Sequence, residues 1–323
     1  MTMASLYFHS PCFDGIASAA LVWDFLESRC SWPPPTLRSV NYDRRETWLT
    51  DKFEGRAAIV DFLYHPQADF FADHHVTSFI SDAARADYER RKGSHLVYDD
   101  RAGSCATLLW DHLARALDHR NLWYADLVTW ADKIDAARYE TVVEAVLSPA
   151  PALKINAGLA LGNAGAYCES LRFLREENLD QVARLPEVEA RFERSRLLTK
   201  IGLDRFSGAA HIEDDGIVVY DVDGRGAIVN RYAPFYFFPE ARYSAGITRW
   251  EQGAKITAMR NPWREFSSVQ IGPICEKLGG GGHQRVGSIV VRGQRVSGAE
   301  GILNRVVSEI RRGESLVEHK RTA

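Results

Sequence analysis

The chain has 323 residues, which is long enough for two domains of average size. Its composition, 46% hydrophobic and 26% charged, is ordinary for a globular protein, and a formal net charge of −3 excludes a strong overall attraction to nucleic acid. Five cysteines without a CxxC pair exclude a disulfide framework and a structural zinc knuckle. Because the sequence shows neither a signal peptide nor an apolar run of membrane-spanning length, we expect a cytoplasmic protein.

The first part of the chain has the pattern of a parallel α/β sheet. Apolar runs predict four strands, and a segment with small and apolar residues on one face predicts a helix over 15–28. The predicted strands are 4–9, 36–42, 56–62 and 68–75. Strands separated by helices or loops indicate a parallel sheet.

The rest of the chain predicts a second, smaller α/β body. Residues 76–102 look irregular, two helices are predicted over 104–117 and 120–135, and a long charged helix over 178–203 looks like a connector. Beyond it lie a predicted hairpin (243–250 and 254–260), further strands and a C-terminal helix. We therefore expect a first domain over 1–180, a helical linker over 181–206 and a second domain over 207–323.

Ligating side chains follow several of the predicted strands. His9 ends the first strand, Asp61 ends the third, and the sequence FADHH places Asp73, His74 and His75 at the end of the fourth. Ligands of open α/β sheets bind outside the carboxyl ends of strands, so these groups should converge. Carboxylates mixed with imidazoles suit Mn²⁺, Mg²⁺ or Fe²⁺, and a divalent ion would relieve the repulsion between the carboxylates.

A run of four glycines, 279–282, precedes His283 in the second half of the chain. Glycines in such a run are costly in a helix or strand, but they let a backbone approach a ligand and direct N–H groups at an anion. The simpler interpretation is a flexible loop between a helix and a strand.

Taken together, these motifs resemble the DHH/DHHA1 phosphoesterase family. The resemblance rests on YFHSPCFDGIASA (7–19), IVDF (59–62), FADHH (71–75), WADKIDAARY (130–139) and GGGGH (279–283). The first of these is similar to the oligoribonuclease-like branch. The motifs span almost the whole chain in the family's order, and the ordered set is far more specific than any one member.

The resemblance implies a hydrolase with two metal ions, usually Mn²⁺, although Mg²⁺ or another divalent ion fits the same residues. It implies that His9 and Asp14 ligate separate ions, that Asp61 bridges them, and that His74 and Asp132 complete the second site. His75 would face the substrate phosphate, and Asp73 would orient the histidines. In the second domain the implied substrate-binding residues are Arg260, Gly280, Gly281, Gly282 and His283.

Two positions depart from the family pattern or leave a choice open. Many family members have Asp-x-Asp in the first motif, whereas this chain has Cys12 in place of the first carboxylate. Cys12 is either a soft metal ligand or a small buried residue. In the fourth motif Asp132 and Asp135 are three residues apart and could share a helix face; we favour Asp132.

The favoured function is a phosphodiesterase that hydrolyses short RNA or DNA oligonucleotides, or dinucleotides, to 5′-monophosphates. The alternatives are a pyrophosphatase or exopolyphosphatase, and a nucleotide-binding sensor whose catalysis has lapsed because of Cys12. Base-stacking aromatic residues near the glycine run would favour nucleotides, and further Lys or Arg residues would favour polyphosphate. A homodimer fits this interpretation, although no residue argues for it, and no membrane partner is expected.

Overall fold

The computed structural model describes residues 3–322, with side chains described as far as residue 315. The chain divides into two compact units, which are considered separately. The first runs to Arg138 and resumes over Pro149–Glu193; the second contains Tyr139–Ser148 and the chain from Arg194 onward. The boundary at Glu193 falls within a long helix that overlaps the predicted linker.

A five-stranded parallel sheet forms the centre of the first unit. Its strands are β1 (Ala4–His9), β2 (Thr36–Val40), β3 (Arg56–Val60), β4 (Phe70–Asp73) and β5 (Leu96–Tyr98). Their order across the sheet is β2-β1-β3-β4-β5. All four residues of β4 and all but the first of β3 are buried, as expected of central parallel strands covered on both faces. The predicted parallel α/β architecture is confirmed.

Helices cover the sheet of the first unit. The helices of the whole chain are α1 (Phe13–Cys30), α2 (Asp82–Arg91), α3 (Cys105–Leu117), α4 (Ala125–Asp135), α5 (Val142–Leu147), α6 (Pro151–Leu159), α7 (Ala164–Glu176), α8 (Leu179–Ala183), α9 (Pro186–Ala209), α10 (Ala233–Phe237), α11 (Ile271–Lys277) and α12 (Ala299–Thr322). Helix α1 packs against β1 and β3 and is itself covered by α3, α4 and α7. Within the described residues, no helix combines the length and the apolar character needed to cross a membrane.

The second unit is built on a six-stranded mixed sheet. Its strands are β6 (Ala210–Ile212), β7 (Ile217–Asp223), β8 (Tyr243–Trp250), β9 (Gly253–Arg260), β10 (Gly281–His283) and β11 (Val286–Arg292), in the order β10-β11-β9-β8-β7-β6. Only β7 and β8 pair in parallel. The hydrophobic core joins β7, β8, β9 and β11 to α11 and α12. The antiparallel pairing of β8 with β9 confirms the predicted hairpin.

The prediction that residues 76–102 are irregular is wrong, because they contain α2 and β5. The apolar periodicity of α2 is weak, since only Ala84 and Tyr88 of this helix are buried. Its start is instead marked by a side-chain cap, in which the Ser81 hydroxyl accepts a hydrogen bond from the Ala84 amide at 3.2 Å.

Candidate metal centre

The candidate metal ligands lie at one edge of the parallel sheet because their strands are neighbours there. Strand β3 lies between β1 and β4. His9 is the last residue of β1, Asp61 directly follows β3, and His74 directly follows β4. The carboxyl ends of adjacent parallel strands share an edge, so three segments that are far apart in sequence deliver their side chains to one place.

Asp61 is at the middle of this cluster. Its side chain is fully buried, with Oδ2 at 3.4 Å from His9 Nδ1 and Oδ1 at 3.5 Å from His74 Nε2. The backbone at Asp61 has a φ of 55°, in the left-handed region that Asp tolerates better than most residues. This turn, directly after the last residue of β3, gives each carboxylate oxygen a different set of neighbours.

Neither carboxylate oxygen of Asp61 receives a hydrogen bond from any residue that the structure describes. A buried charge without donors is costly, and it is normally paired or bound to a metal. Burial alone would raise the pKa of Asp61, but the imidazoles of His74 and His9 outweigh burial and lower it. The carboxylate is therefore held ionised and lacks donors, and such a group would fit the binding of divalent cations.

Asp14 joins the cluster from the first turn of α1. Its carboxylate accepts hydrogen bonds from the amides of Cys105 at 2.7 Å and Ala106 at 2.9 Å, at the start of α3. Its Oδ2 also lies 3.6 Å from His74 Nε2. Burial, together with the charges of Asp61 and Asp135, raises the pKa of Asp14 well above its usual range. A cation beside these carboxylates would remove that repulsion.

The ring of His74 is oriented by the backbone. Its Nδ1 lies 3.2 Å from the carbonyl oxygen of Ala102, so an N–H at Nδ1 can donate there. That arrangement presents Nε2 to Asp14, Asp61 and Asp135. Metal-ligating histidines commonly use one nitrogen for the metal and the other for such a backbone contact.

The structure favours Asp135 over Asp132, the residue chosen from sequence. Asp135 Oδ2 lies 3.3 Å from His74 Nε2, and Asp14, His74 and Asp135 form a group with metal-ligand spacing. Asp132 instead forms an ion pair with Arg138. Sequence spacing could not separate two carboxylates at i and i+3. One signal was available, since Asp135 is the last residue of α4, where the helix dipole disfavours an anion that has no cation beside it.

Asp73 positions His75. One oxygen of Asp73 lies 2.8 Å from His75 Nδ1, and the same oxygen accepts a hydrogen bond from the His74 amide at 2.8 Å. The Ser78 hydroxyl donates to the other oxygen, a contact that sequence reasoning missed because Ser78 lies beyond the motif. Asp73 thus contacts the His75 ring and the His74 backbone, which is the geometry expected of a residue that orients the two histidines.

Cys12 lies on the His9 side of Asp61. Ligand atoms of His9, Cys12 and Asp61 all lie within 4.8 Å of one another. Cys12 occupies the N-cap position of α1, but its side chain makes no capping hydrogen bond. Burial and the charges of Asp61, Asp135 and Asp14 raise the pKa of its thiol well above the usual range when no cation is present.

Arg260, in the second unit, has a largely structural environment. Its side chain is buried, and its guanidinium donates to the carbonyl oxygens of Asn261 at 2.9 Å and Phe266 at 3.1 Å. It also stacks on the Phe266 ring at 4.4 Å. It nevertheless lines a polar pocket of this unit together with Arg264 and Arg285.

The glycine run is used mainly for packing within the second unit. Gly279 has a φ of 87°, and the amides of Gly279 and Gly280 close the end of α11. A Cβ at Gly280 would lie 2.2 Å from the Ser288 carbonyl oxygen, and one at Gly282 would lie 2.2 Å from that of Val286. His283 ends β10, which pairs with β11. At least Gly279 and Gly280 therefore donate their amides to the protein itself.

Three solved structures place the fold among known proteins. The pGpG-specific phosphodiesterase PggH from Vibrio cholerae is 18% identical, with a TM-score of 0.66 over 94% of this chain and 99% of that chain. A DHH-domain protein of the s1p family of ribosomal proteins is 13% identical, with a TM-score of 0.59 over 96% and 86%. RecJ from Thermus thermophilus in complex with Mn²⁺ is 15% identical, with a TM-score of 0.56 over 96% of this chain and 52% of RecJ.

No protein-family model and no curated protein matches the sequence. At these identities the structural likeness shows the fold, and the chain has the fold of the DHH phosphoesterases. This agrees with the resemblance that the motifs carry in the sequence.

The raised pKa of His75 predicts how the metal-free protein responds to pH. Burial would lower this pKa, but Asp73 and Asp61 raise it from 6.5 to about 9. Between pH 6.5 and about pH 9 the folded state therefore binds more protons than the unfolded state. The contribution of His75 to the free energy of unfolding is fully present below pH 6.5 and is lost as the pH rises to about 9. The decline attributable to His75 is at most about 3 kcal/mol.

Denaturant unfolding of chelator-treated protein at about pH 6.5, 8 and 9 measures this decline. His75→Asn should reduce the slope, and the remaining slope should come from other groups whose pKa is raised in the folded state, among them Asp14 and His74. Equal stability across this range in the wild-type protein would contradict the account.

Proposed function

We propose that the protein is a metal-dependent phosphodiesterase that hydrolyses short oligonucleotides or dinucleotides to 5′-monophosphates. The observation that carries the proposal is the buried Asp61 carboxylate, which has no hydrogen-bond donor among the described residues and lies between two groups of side chains that could hold a metal ion. A carboxylate shared by two cations is the characteristic centre of two-metal phosphoryl chemistry.

The residues present fit two divalent ions, for which we propose Mn²⁺ at one or both sites. His9, Cys12 and Asp61 would hold one ion, and Asp14, His74, Asp135 and Asp61 the other. When bound, the ions supply Lewis acidity, charge neutralisation and an activated water. In this proposal Asp132 stabilises the end of α4 through Arg138 and is not a ligand.

The remaining groups orient and neutralise the substrate. Asp73 fixes the His75 ring and favours its protonated form, so that His75 can donate a hydrogen bond to a phosphate oxygen as negative charge develops. In the second unit, Arg260, Gly280, Gly281, Gly282 and His283 remain the proposed substrate-binding residues. For Arg260 the proposed role is to position a pocket wall, because two backbone carbonyls already hold its guanidinium.

A dinucleotide is the favoured substrate class. The structure with a TM-score of 0.66 is that of a pGpG-specific phosphodiesterase, and it matches this chain over nearly the full length of both proteins. The net charge of −3 also argues against a tight grip on long nucleic acid. The cytoplasm remains the expected location.

A phosphoanhydride hydrolase is the second candidate. Three arginines line the pocket of the second unit. Of the aromatic residues that could stack on bases, Tyr232 and Phe235 are buried, whereas Tyr236, Phe237 and Phe238 are partly exposed. An exopolyphosphatase-related protein from Bacteroides fragilis has a TM-score of 0.50 at 13% identity, over 95% of this chain and 92% of that chain. Polyphosphate is a polyanion that such an arginine-lined pocket would suit.

A substrate panel separates these proposals. We expect chelator-treated protein to be inactive, and Mn²⁺ to restore cleavage of pGpG, pApA and short RNA to mononucleotides, with polyphosphate left intact. Product analysis by anion-exchange chromatography measures both reactions. Phosphate release from polyphosphate alone would favour the second candidate, and nucleotide binding without turnover under every metal condition would indicate a sensor.

A further inference from the structure

Cys12 occupies the N-cap position of α1, and in the first sequence motif it takes the place of the first carboxylate of Asp-x-Asp. Ser, Thr, Asp and Asn are the preferred N-cap residues, and cysteine caps poorly. The Cys12 side chain indeed makes no capping hydrogen bond to α1. The thiol of Cys12 therefore does not stabilise α1 as a cap. Its side chain instead lies among polar groups of neighbouring strands.

Two polar groups beside Cys12, an imidazole nitrogen of His9 and the Asp61 carboxylate, have no hydrogen-bond partner among the described residues. His9 Nδ1 is buried without a hydrogen bond among the described residues, and so is Asp61 Oδ2. The ligand atoms of His9, Cys12 and Asp61 lie within 4.8 Å of one another. A fully buried carboxylate directed at this space is an observation independent of the cysteine, and it points to a cation.

We propose that Cys12 is a thiolate ligand of the ion at the His9 side, and that this ligand makes the two metal sites chemically different. The inference rests on the metal centre proposed above and deepens it. The first site offers nitrogen, sulfur and oxygen, and a thiolate favours borderline ions such as Zn²⁺, Co²⁺ and Fe²⁺ over Mn²⁺ and Mg²⁺. Three protein ligands of this kind also leave coordination positions open for water and substrate.

The second site has no sulfur ligand among the residues that the structure groups there. Asp14, His74 and Asp135 offer only oxygen and nitrogen, a set that suits Mn²⁺. Cys105 is close to Asp14, but its Sγ lies 3.2 Å from the Ala72 carbonyl oxygen, to which it donates. The thiolate is therefore confined to the His9 side, and the centre is expected to hold one borderline ion and one hard ion.

Ligation is an exchange of a proton for a metal ion. The Sγ–H bond of Cys12 breaks, an Sγ–metal bond forms, and the proton passes to solvent. No electron is transferred and no co-reactant is needed. The substitution Cys12→Asp should replace sulfur by oxygen at the same place and should also supply a cap for α1.

Cobalt spectroscopy tests the proposal without relying on activity. Titration of the metal-free protein with Co²⁺ should produce a thiolate-to-cobalt charge-transfer band in the near ultraviolet together with the visible bands of Co²⁺. Cys12→Ser should lose the ultraviolet band and keep visible bands from the second site. Cys30→Ser is the matched control, because Cys30 is at the opposite end of the same helix and should leave both sets of bands unchanged.

Metal content gives a second measurement. After incubation with equal concentrations of Zn²⁺ and Mn²⁺, the wild-type protein should retain both ions, and Cys12→Asp should lose its preference for Zn²⁺ by at least about tenfold. Visible cobalt bands without a charge-transfer band in the wild-type protein would overturn the thiolate proposal but leave the metal centre intact. Absence of all Co²⁺ and Mn²⁺ binding would overturn the metal centre itself.

Discussion

Replacing Asp61 by asparagine is expected to reduce phosphodiester hydrolysis by at least about a thousandfold. The substitution removes the charge that both ligand sets share, since one carboxylate oxygen faces His9 and the other faces His74. Asparagine keeps the size of the side chain and tolerates the left-handed backbone, for which φ is 55°. The loss should therefore be chemical and not a failure to fold.

The assay for this variant pairs initial rates on pGpG with metal binding by calorimetry and with the unfolding midpoint. Asp43→Asn is the control, because Asp43 is exposed in the turn that follows β2. We expect the control to keep its activity and its metal content. Wild-type rates in Asp61→Asn, with the fold intact, would remove Asp61 from the mechanism.

The second large effect distinguishes two carboxylates of one helix. Asp135→Asn should lower activity by about a hundredfold or more and weaken metal binding, because Asp135 Oδ2 lies beside His74 Nε2. Asp132→Asn should keep a rate near that of the wild-type protein, because Asp132 is paired with Arg138, whose side chain is largely exposed. Because the Asp132 side chain is mostly buried, breaking the pair should cost about 1–3 kcal/mol of stability.

Both variants carry the same chemical change at positions three residues apart, so each is the control for the other. Steady-state rates at saturating Mn²⁺, metal titrations and unfolding curves are the measurements. If Asp132→Asn abolished activity while Asp135→Asn remained active, the ligand choice made from sequence would be right and the structural assignment would be wrong.

The sequence predicted the centre of the site because its ligands follow buried strands. The apolar runs before His9, Asp61 and His74 identify β1, β3 and β4, and the topology of a parallel sheet then requires their ends to meet. Neither the left-handed backbone at Asp61 nor the amides of Cys105 and Ala106 at Asp14 could be derived in this way, since both depend on tertiary packing.

Other parts of the structure had weak or ambiguous signals. The rotation of α4 decides between Asp132 and Asp135, because periodicity alone allows two carboxylates three residues apart to share one helix face. Helix α2 buries few apolar side chains, so its sequence has little helical periodicity. The local features that favour the helix are the Ser81 cap and ion pairs such as that of Arg85 with Glu89 at 3.3 Å. For the glycine run the sequence allows a ligand-binding loop or a flexible loop, and neither interpretation predicts the tight backbone contacts by which it packs beside β11.

The most direct test of the central claim is to locate the metal ions. Crystals soaked in Mn²⁺ and measured at the manganese absorption edge should show two anomalous peaks, each contacting a different oxygen of Asp61, one on the His9 side and one beside His74. Peaks that do not touch Asp61, or no bound ion among His9, Asp14, Asp61, His74 and Asp135, would contradict the account.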